Sequence, residues 1–183
     1  GGVILFDETI KQKTTLGPTI PDLILKHGAI PGIKVDKGAK PLAGSAEETI
    51  TEGLDGLRDR LKEYYSLGAR FTKWRAVYKI TNKYPSSQSI KSNAHALARY
   101  AALVQEAEMV PIIEPEVLMD GSHDIEKCYQ ITTNVLNECY NELEIHQINL
   151  KGTVLKPNMV VPGSECKDKS SSEEIAKKNF RMP

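Results

Sequence analysis

Apolar and polar positions along the chain follow two alternating rhythms. Short runs rich in Val, Ile, Thr and aromatic residues occur at 1–6 (GGVILF), 31–38 (PGIKVDKG), 69–78 (ARFTKWRAVY), 110–118 (VPIIEPEVL) and 152–160 (GTVLKPNMV). Each has Gly or Pro near its ends, and such runs read as strands. Between them, apolar residues recur every three or four positions. Within 45–67 these are Ile50, Leu54, Leu57 and Leu61, and within 87–106 they are Ile90, Ala94, Leu97, Ala101 and Val104. Within 124–143 they are Cys128, Ile131, Val135, Cys139 and Leu143. Each set is one stripe of a helix. Ser45 with Glu48 fits a capping box for the first helix, while Gly53 and Gly56 push its firm start later. Near the C-terminus, KDKSSSEEIAKK sets serines before two glutamates and so caps a helix of its own.

Strands alternating with helices imply βα units and a parallel sheet. Lys34, Lys73, Glu114 and Lys156 fall at similar places in successive strands, 39, 41 and 42 residues apart. That interval is one strand–helix unit, so the fold predicted is α/β, a TIM barrel of eight such units. A doubly wound open sheet is the alternative, but no strand is followed by a Gly-rich phosphate loop such as G-x-G-x-x-G. A whole barrel takes roughly 250 residues, and only five strands are read here. The expectation is therefore that 1–183 is a single, incomplete barrel domain of about five βα units, truncated and inactive or nearly so by itself.

Composition narrows the partners. The 183 residues are 40% hydrophobic and 26% charged, with a formal net charge of zero. This is soluble globular composition, and it gives no reason to expect nucleic acid or an anionic membrane as a main partner. No run approaches the roughly 18 apolar residues of a membrane span, and GGVILFDETI lacks the pattern of a signal peptide. Cys128, Cys139 and Cys166 are odd in number with no C-x-x-C spacing, which fits reduced thiols in the cytoplasm. His27, His95, His123 and His146 are scattered, and no metal site is expected from them. Asp120, His123 and Asp124 read as a loop leading into a helix cap.

The strands themselves hold the chemistry. In a strand, residues i and i+2 share a face. Lys34 with Asp36, Lys73 with Arg75, and Glu114 with Glu116 are three such pairs, and Lys156 stands alone in the fifth strand. All lie toward the C-terminal ends, where a barrel's inward face carries its active site. Charges gathered there must pair with one another or bind something charged. Lys156 is expected inside, held out of water near Lys73 and Lys34, and a lysine so desolvated and crowded by cations serves as an amine nucleophile toward a ketone or aldehyde. Glu114 is placed to move the protons of carbinolamine formation and dehydration. Surplus cations suit a phosphorylated substrate. Trp74, between Lys73 and Arg75, faces the other way and is expected under a helix.

The strings IKVDKG, TKWR, IIEPE and LKPNM, in this order and spacing, resemble class I fructose-bisphosphate aldolase. The flanking GGVILF, PLAG, GLDGL and DGSHD agree, and the resemblance runs to about Ala176. It implies reversible cleavage of fructose 1,6-bisphosphate to dihydroxyacetone phosphate and glyceraldehyde 3-phosphate, a lyase step of glycolysis and gluconeogenesis. Lys156 would form the Schiff base with the C2 carbonyl, and Glu114 would be the general acid/base. Lys73 and Glu116 would tune these two, with Lys73 also reaching substrate. Lys34, Asp36 and Arg75 would line the pocket for phosphate and charge balance. The iminium acts as the electron sink, so the reading invokes neither metal nor organic cofactor. The resemblance also implies a homotetramer in the full-length form. It further implies a site aspartate on a first strand, phosphate-binding groups on later strands and a C-terminal tail ending in tyrosine, none of which these residues supply. One departure stands out: the family string L-E-G-x-x-L-K-P-N is LKGTVLKPN here, with Lys151 in place of glutamate. A non-catalytic barrel remnant and a transaldolase-like lyase are the other readings, and the latter leaves the flanking strings unexplained.

Overall fold

The computed structural model describes residues 1–182. Its strands are β1 (Gly2–Leu5), β2 (Ile30–Lys34), β3 (Ala39–Pro41), β4 (Thr49–Thr51), β5 (Phe71–Tyr78), β6 (Val110–Val117) and β7 (Val154–Leu155). Its α-helices are α1 (Asp7–Ile10), α2 (Ile20–Lys26), α3 (Leu57–Ser66), α4 (Ser87–Glu106), α5 (Ile125–Ile145) and α6 (Ser172–Asn179). Strands β1, β2, β5, β6 and β7 form one parallel sheet in that order. All five strand runs predicted above are in it. The sheet is α/β and parallel, as the alternation implied.

Alternation along β5 separates the two faces. Thr72, Trp74, Ala76 and Tyr78 are buried, whereas Phe71, Lys73, Arg75 and Val77 are only partly so. The first set lies under the helices. Trp74 is fully buried, with its ring 5.3 Å from that of Tyr100 on α4. Leu61 of α3, Leu97 and Val104 of α4, and Val135 and Leu143 of α5 fill the same layer. Trp74→Ala is expected to cost about 3–5 kcal/mol, the range for emptying a buried aromatic site. Urea denaturation would measure it, and a loss under ~1 kcal/mol would mean that this face is loosely packed.

The opposite face is largely open. Ile4, Ile30 and Val154 lie on it at 41%, 49% and 47% exposure. Phe71 lies flat across it, so close that a Cβ on Gly32 would meet the ring at 2.3 Å. Glycine at that position leaves room for the aromatic ring to cross β2.

One expected helix is shorter than predicted. Residues 45–56 are not helical; Thr49–Thr51 form β4, which pairs antiparallel with the preceding β3, and α3 starts at Leu57. The glycines decide this, because Gly53 and Gly56 take φ of 136° and 63°, outside the right-handed helical region. Ser45 Oγ does donate to Glu48 Oε2 at 3.0 Å, but Glu48 serves another helix. Its carboxylate accepts the Ser86 amide at 2.7 Å and the Ser86 hydroxyl at 2.6 Å, at the start of α4. An anion at a helix N-terminus is favoured by the unpaired amides there. Asn93 holds the hairpin to α4, accepting from the Thr51 amide at 3.1 Å and donating to the Thr49 carbonyl at 2.9 Å.

Candidate active site

Strand register brings the charged residues together. Lys34 is level with Lys73, Arg75 with Glu114, and Ile112 with Val154, which sets Lys156 beside Glu114. The sequence intervals suggested that Lys73 and Glu114 would be level. Instead Lys73 is opposite Ile112, and the step of two residues lets its long side chain reach forward to Glu114.

Glu114 is the centre of the cluster. It is 2% exposed, and its Oε1 accepts a hydrogen bond from Lys156 Nζ at 2.5 Å. Its Oε2 lies 2.8 Å from Lys73 Nζ. That second contact is coulombic, since the ammonium is not aligned to donate to this oxygen. Both ammonium groups lie within reach of this buried carboxylate, close enough for a proton to pass between Glu114 and either lysine.

Two further pairs flank it. Arg75 Nε donates to Glu116 Oε2 at 2.6 Å, and that guanidinium holds the Glu116 carboxyl below its usual range, with smaller help from Lys156 and Lys73. Glu116 is thus first of all the partner of Arg75, and it acts on Lys156 and Lys73 through its charge. Lys34 Nζ donates to Asp36 Oδ1 at 2.5 Å and to the Asp36 carbonyl at 3.1 Å. The same carboxylate accepts from the amides of Gly38 at 3.0 Å and Arg75 at 3.4 Å, which ties β2 to β5. Lys34, Lys73, Arg75 and Lys156 face Asp36, Glu114 and Glu116, so the cluster carries one cation in excess.

The string Lys-Pro-Asn at 156–158 has a local explanation. The Lys156 amide makes one more ladder bond, to the Ile113 carbonyl at 2.9 Å. Pro157 has no N–H and ends the strand. Asn158 takes over: its Oδ1 accepts from the Val117 amide at 3.0 Å, and its Nδ2 donates to Thr132 Oγ1 of α5 at 3.1 Å. Asn158 is therefore a positioning residue for Lys156, and an Asn directly after Pro was the available signal for it.

One expectation is corrected. Lys156 was expected out of water, yet its side chain is 59% exposed, because the inner face of the sheet is open around it. Lys73 and Lys34 are better covered, at 20% and 26%. A cavity of about 140 Å³ between Glu48, Tyr78, Tyr84, Ser89 and Leu118 is lined by none of the seven charged residues named above. Lys151 is exposed in the 3₁₀ turn Leu150–Gly152, and among the described residues it makes no ion pair. Asp124 caps α5, accepting from the Lys127 amide at 2.7 Å, and Ser171 caps α6. Cys128, Cys139 and Cys166 are buried free thiols, and burial pushes the Cys139 thiol up to about 12. No helix of the described residues is long and apolar enough to cross a membrane.

A parallel α/β sheet with a lysine–carboxylate–lysine cluster at its C-terminal strand ends defines the class: an α/β protein with a charged site at its strand ends. Comparison with known proteins narrows the class. A family model described as fructose-bisphosphate aldolase class-I matches residues 1–182, and the chain belongs to that family. A probable fructose-bisphosphate aldolase class 1 of Xanthomonas axonopodis pv. citri is 57% identical over 175 residues, 96% of this chain and 52% of the relative. Cytosolic fructose-bisphosphate aldolase 4 of Arabidopsis thaliana is 56% identical over 180 residues, 98% of this chain and 46% of the relative. A crystal structure of the Plasmodium falciparum aldolase, in complex with TRAP and a small-molecule inhibitor, superposes with a TM-score of 0.96. Identity there is 44%, covering 98% of this chain and 52% of the other. The chain spans about half the length of the relatives it matches.

Proposed function

We propose that the chain carries the Schiff-base half of a class I aldolase site, for reversible cleavage of fructose 1,6-bisphosphate to dihydroxyacetone phosphate and glyceraldehyde 3-phosphate. The observation that carries this reading is the 2.5 Å contact between Lys156 Nζ and the buried Glu114 carboxylate. Glu114 takes a proton from the Lys156 ammonium, and the free amine attacks the C2 carbonyl. Glu114 then returns a proton to the carbinolamine hydroxyl, which leaves as water and gives the iminium. Glu114, a carboxylate again after the dehydration, takes the C4 hydroxyl proton as the C3–C4 bond breaks. The bond's electron pair moves into the iminium to give an enamine, the aldehyde leaves, and the Glu114 carboxyl holds the proton that C3 takes up. Protonation at C3 and hydrolysis free the second product and restore Lys156. Lys73 offsets the charge of Glu114 through this cycle, and the Arg75–Glu116 and Lys34–Asp36 pairs offer cations to the substrate's phosphates and hydroxyls.

On this reading the five-stranded sheet is five strands of an eight-stranded barrel forming one domain, at work in the cytoplasm, with a homotetramer as the assembly. The open inner face has a consequence for the 183 residues assayed alone. Water around Lys156 weakens every electrostatic contact in the cluster, so steady-state turnover should be small or absent. Single-turnover trapping is the appropriate test. Borohydride with fructose 1,6-bisphosphate should add one reduced sugar-phosphate adduct by intact mass, mapped by peptide analysis to Lys156. An adduct on another lysine, or none, would remove the Schiff-base reading for this chain.

A further inference from the structure

The helices on the opposite side of the sheet carry a second group of ligating side chains. His95, within α4, has a side chain that is 52% exposed. Glu142 and His146 are one turn apart at the end of α5, at 16% and 22%. Glu142 Oε2 lies 3.0 Å from His95 Nδ1 and 3.6 Å from His146 Nδ1, and the two rings meet edge-on at 5.0 Å. Sequence spacing hid this, because two histidines separated by most of two helices look unrelated until α4 packs on α5.

We propose that His95, Glu142 and His146 form a binding site for a borderline transition-metal dication, zinc above all. Two imidazoles and one carboxylate are a zinc donor set, whereas magnesium and calcium favour all-oxygen cages. One ligand atom from each residue falls within 4.8 Å of the others. Tetrahedral zinc holds N and O ligands about 3.4 Å apart. Closing the difference takes rotation of both the exposed His95 and the Glu142 carboxylate, which now lies against Nδ1 of each ring. The tautomer of His146 is suited as well. Its Nδ1 is 2.9 Å from the Glu142 backbone carbonyl, to which it donates, leaving the Nε2 lone pair free. Metal-bound histidines commonly rest their second nitrogen on a carbonyl in this way. Arg99 borders an adjoining groove together with His146, and Glu142 is the one anionic member of the three-residue donor set. A bound ion would join the helices that follow β5 and β6, the strands of Lys73 and Glu114. It would stabilise the packing by mass action and take no part in the carbonyl chemistry.

Cobalt(II), titrated into the metal-free full chain as a spectroscopic stand-in and then displaced by zinc, tests the site. The expected result is one equivalent bound, with visible bands of a four-coordinate nitrogen/oxygen site and no near-ultraviolet thiolate band. His95→Ala and Glu142→Gln should each weaken binding by at least about tenfold, with unchanged circular dichroism. If Glu142→Gln disturbs the fold, the exposed His95 alone decides. The proposal is overturned if wild type binds no stoichiometric cobalt, if His95→Ala binds equally well, or if a thiolate band shows a cysteine as the ligand.

Discussion

Lys156→Met is expected to reduce the borohydride-trapped sugar-phosphate adduct to background, a loss of at least about 10⁴-fold in trapping rate. Methionine keeps the length and apolar stem of lysine, so Val154, Leu155 and the Asn158 anchor should stay in place. Glu114 would keep Lys73 at 2.8 Å as its counter-ion, and the stability change should therefore be small. Two outcomes would inform differently. Among the described residues Lys73 is the one other amine touching Glu114, so a residual adduct on Lys73 would mean that the cluster activates either lysine and that Lys156 is preferred by position. Lys156→Arg separates charge from nucleophilicity. It retains the cation beside Glu114, but a guanidinium does not deprotonate in a protein. Arginine should therefore trap no better than methionine. A trapping rate near that of wild type in either variant would show that Lys156 is not the attacking amine.

Much of the site was legible because barrel strands write their inner face at period two. Lys34/Asp36, Lys73/Arg75 and Glu114/Glu116 gave the face and the end of each strand, and β5 alternates as that reading required. Trp74 followed from the same parity. Helices α4 and α5 were legible because an uninterrupted apolar stripe leaves no other element to form. The hairpin β3–β4 was not, since Ile50 and Leu54 mimic a helical stripe and only the positive φ at Gly53 and Gly56 decides against it. Helices α1 and α2 were missed for shortness, although Thr19 with Pro21 and Asp22 is a start signal, and Thr19 does accept from the Asp22 amide. Which cation pairs with which carboxylate depends on the two-residue step between β5 and β6, and strand register is absent from single-strand patterns. Exposure of Lys156 was misjudged for a related reason: parity says which face a residue is on, and not whether that face is covered.

Glu114→Gln is the complementary test, because it should slow the chemistry without removing the nucleophile. Glutamine matches the shape of glutamate and can still accept from Lys156, but it neither takes up nor returns a proton. Adduct formation requires both transfers, first from the ammonium and then to the departing hydroxyl. Loss of a positioned acid/base typically costs about 10²–10⁴-fold, so the adduct should still form on Lys156, late, and to the same final extent. That pattern separates a proton shuttle from a structural carboxylate. A purely structural Glu114 would leave the rate per folded molecule unchanged while lowering stability, since its loss strands the one-fifth-exposed Lys73 ammonium beside a neutral amide. Some destabilisation is expected in any case, and urea denaturation of the same sample measures the folded fraction by which the trapping rate must be divided. A corrected rate within about threefold of wild type would take the acid/base role from Glu114. The next carboxylate to test would then be Glu116, which the Arg75 guanidinium holds firmly ionised and so makes a poor proton carrier.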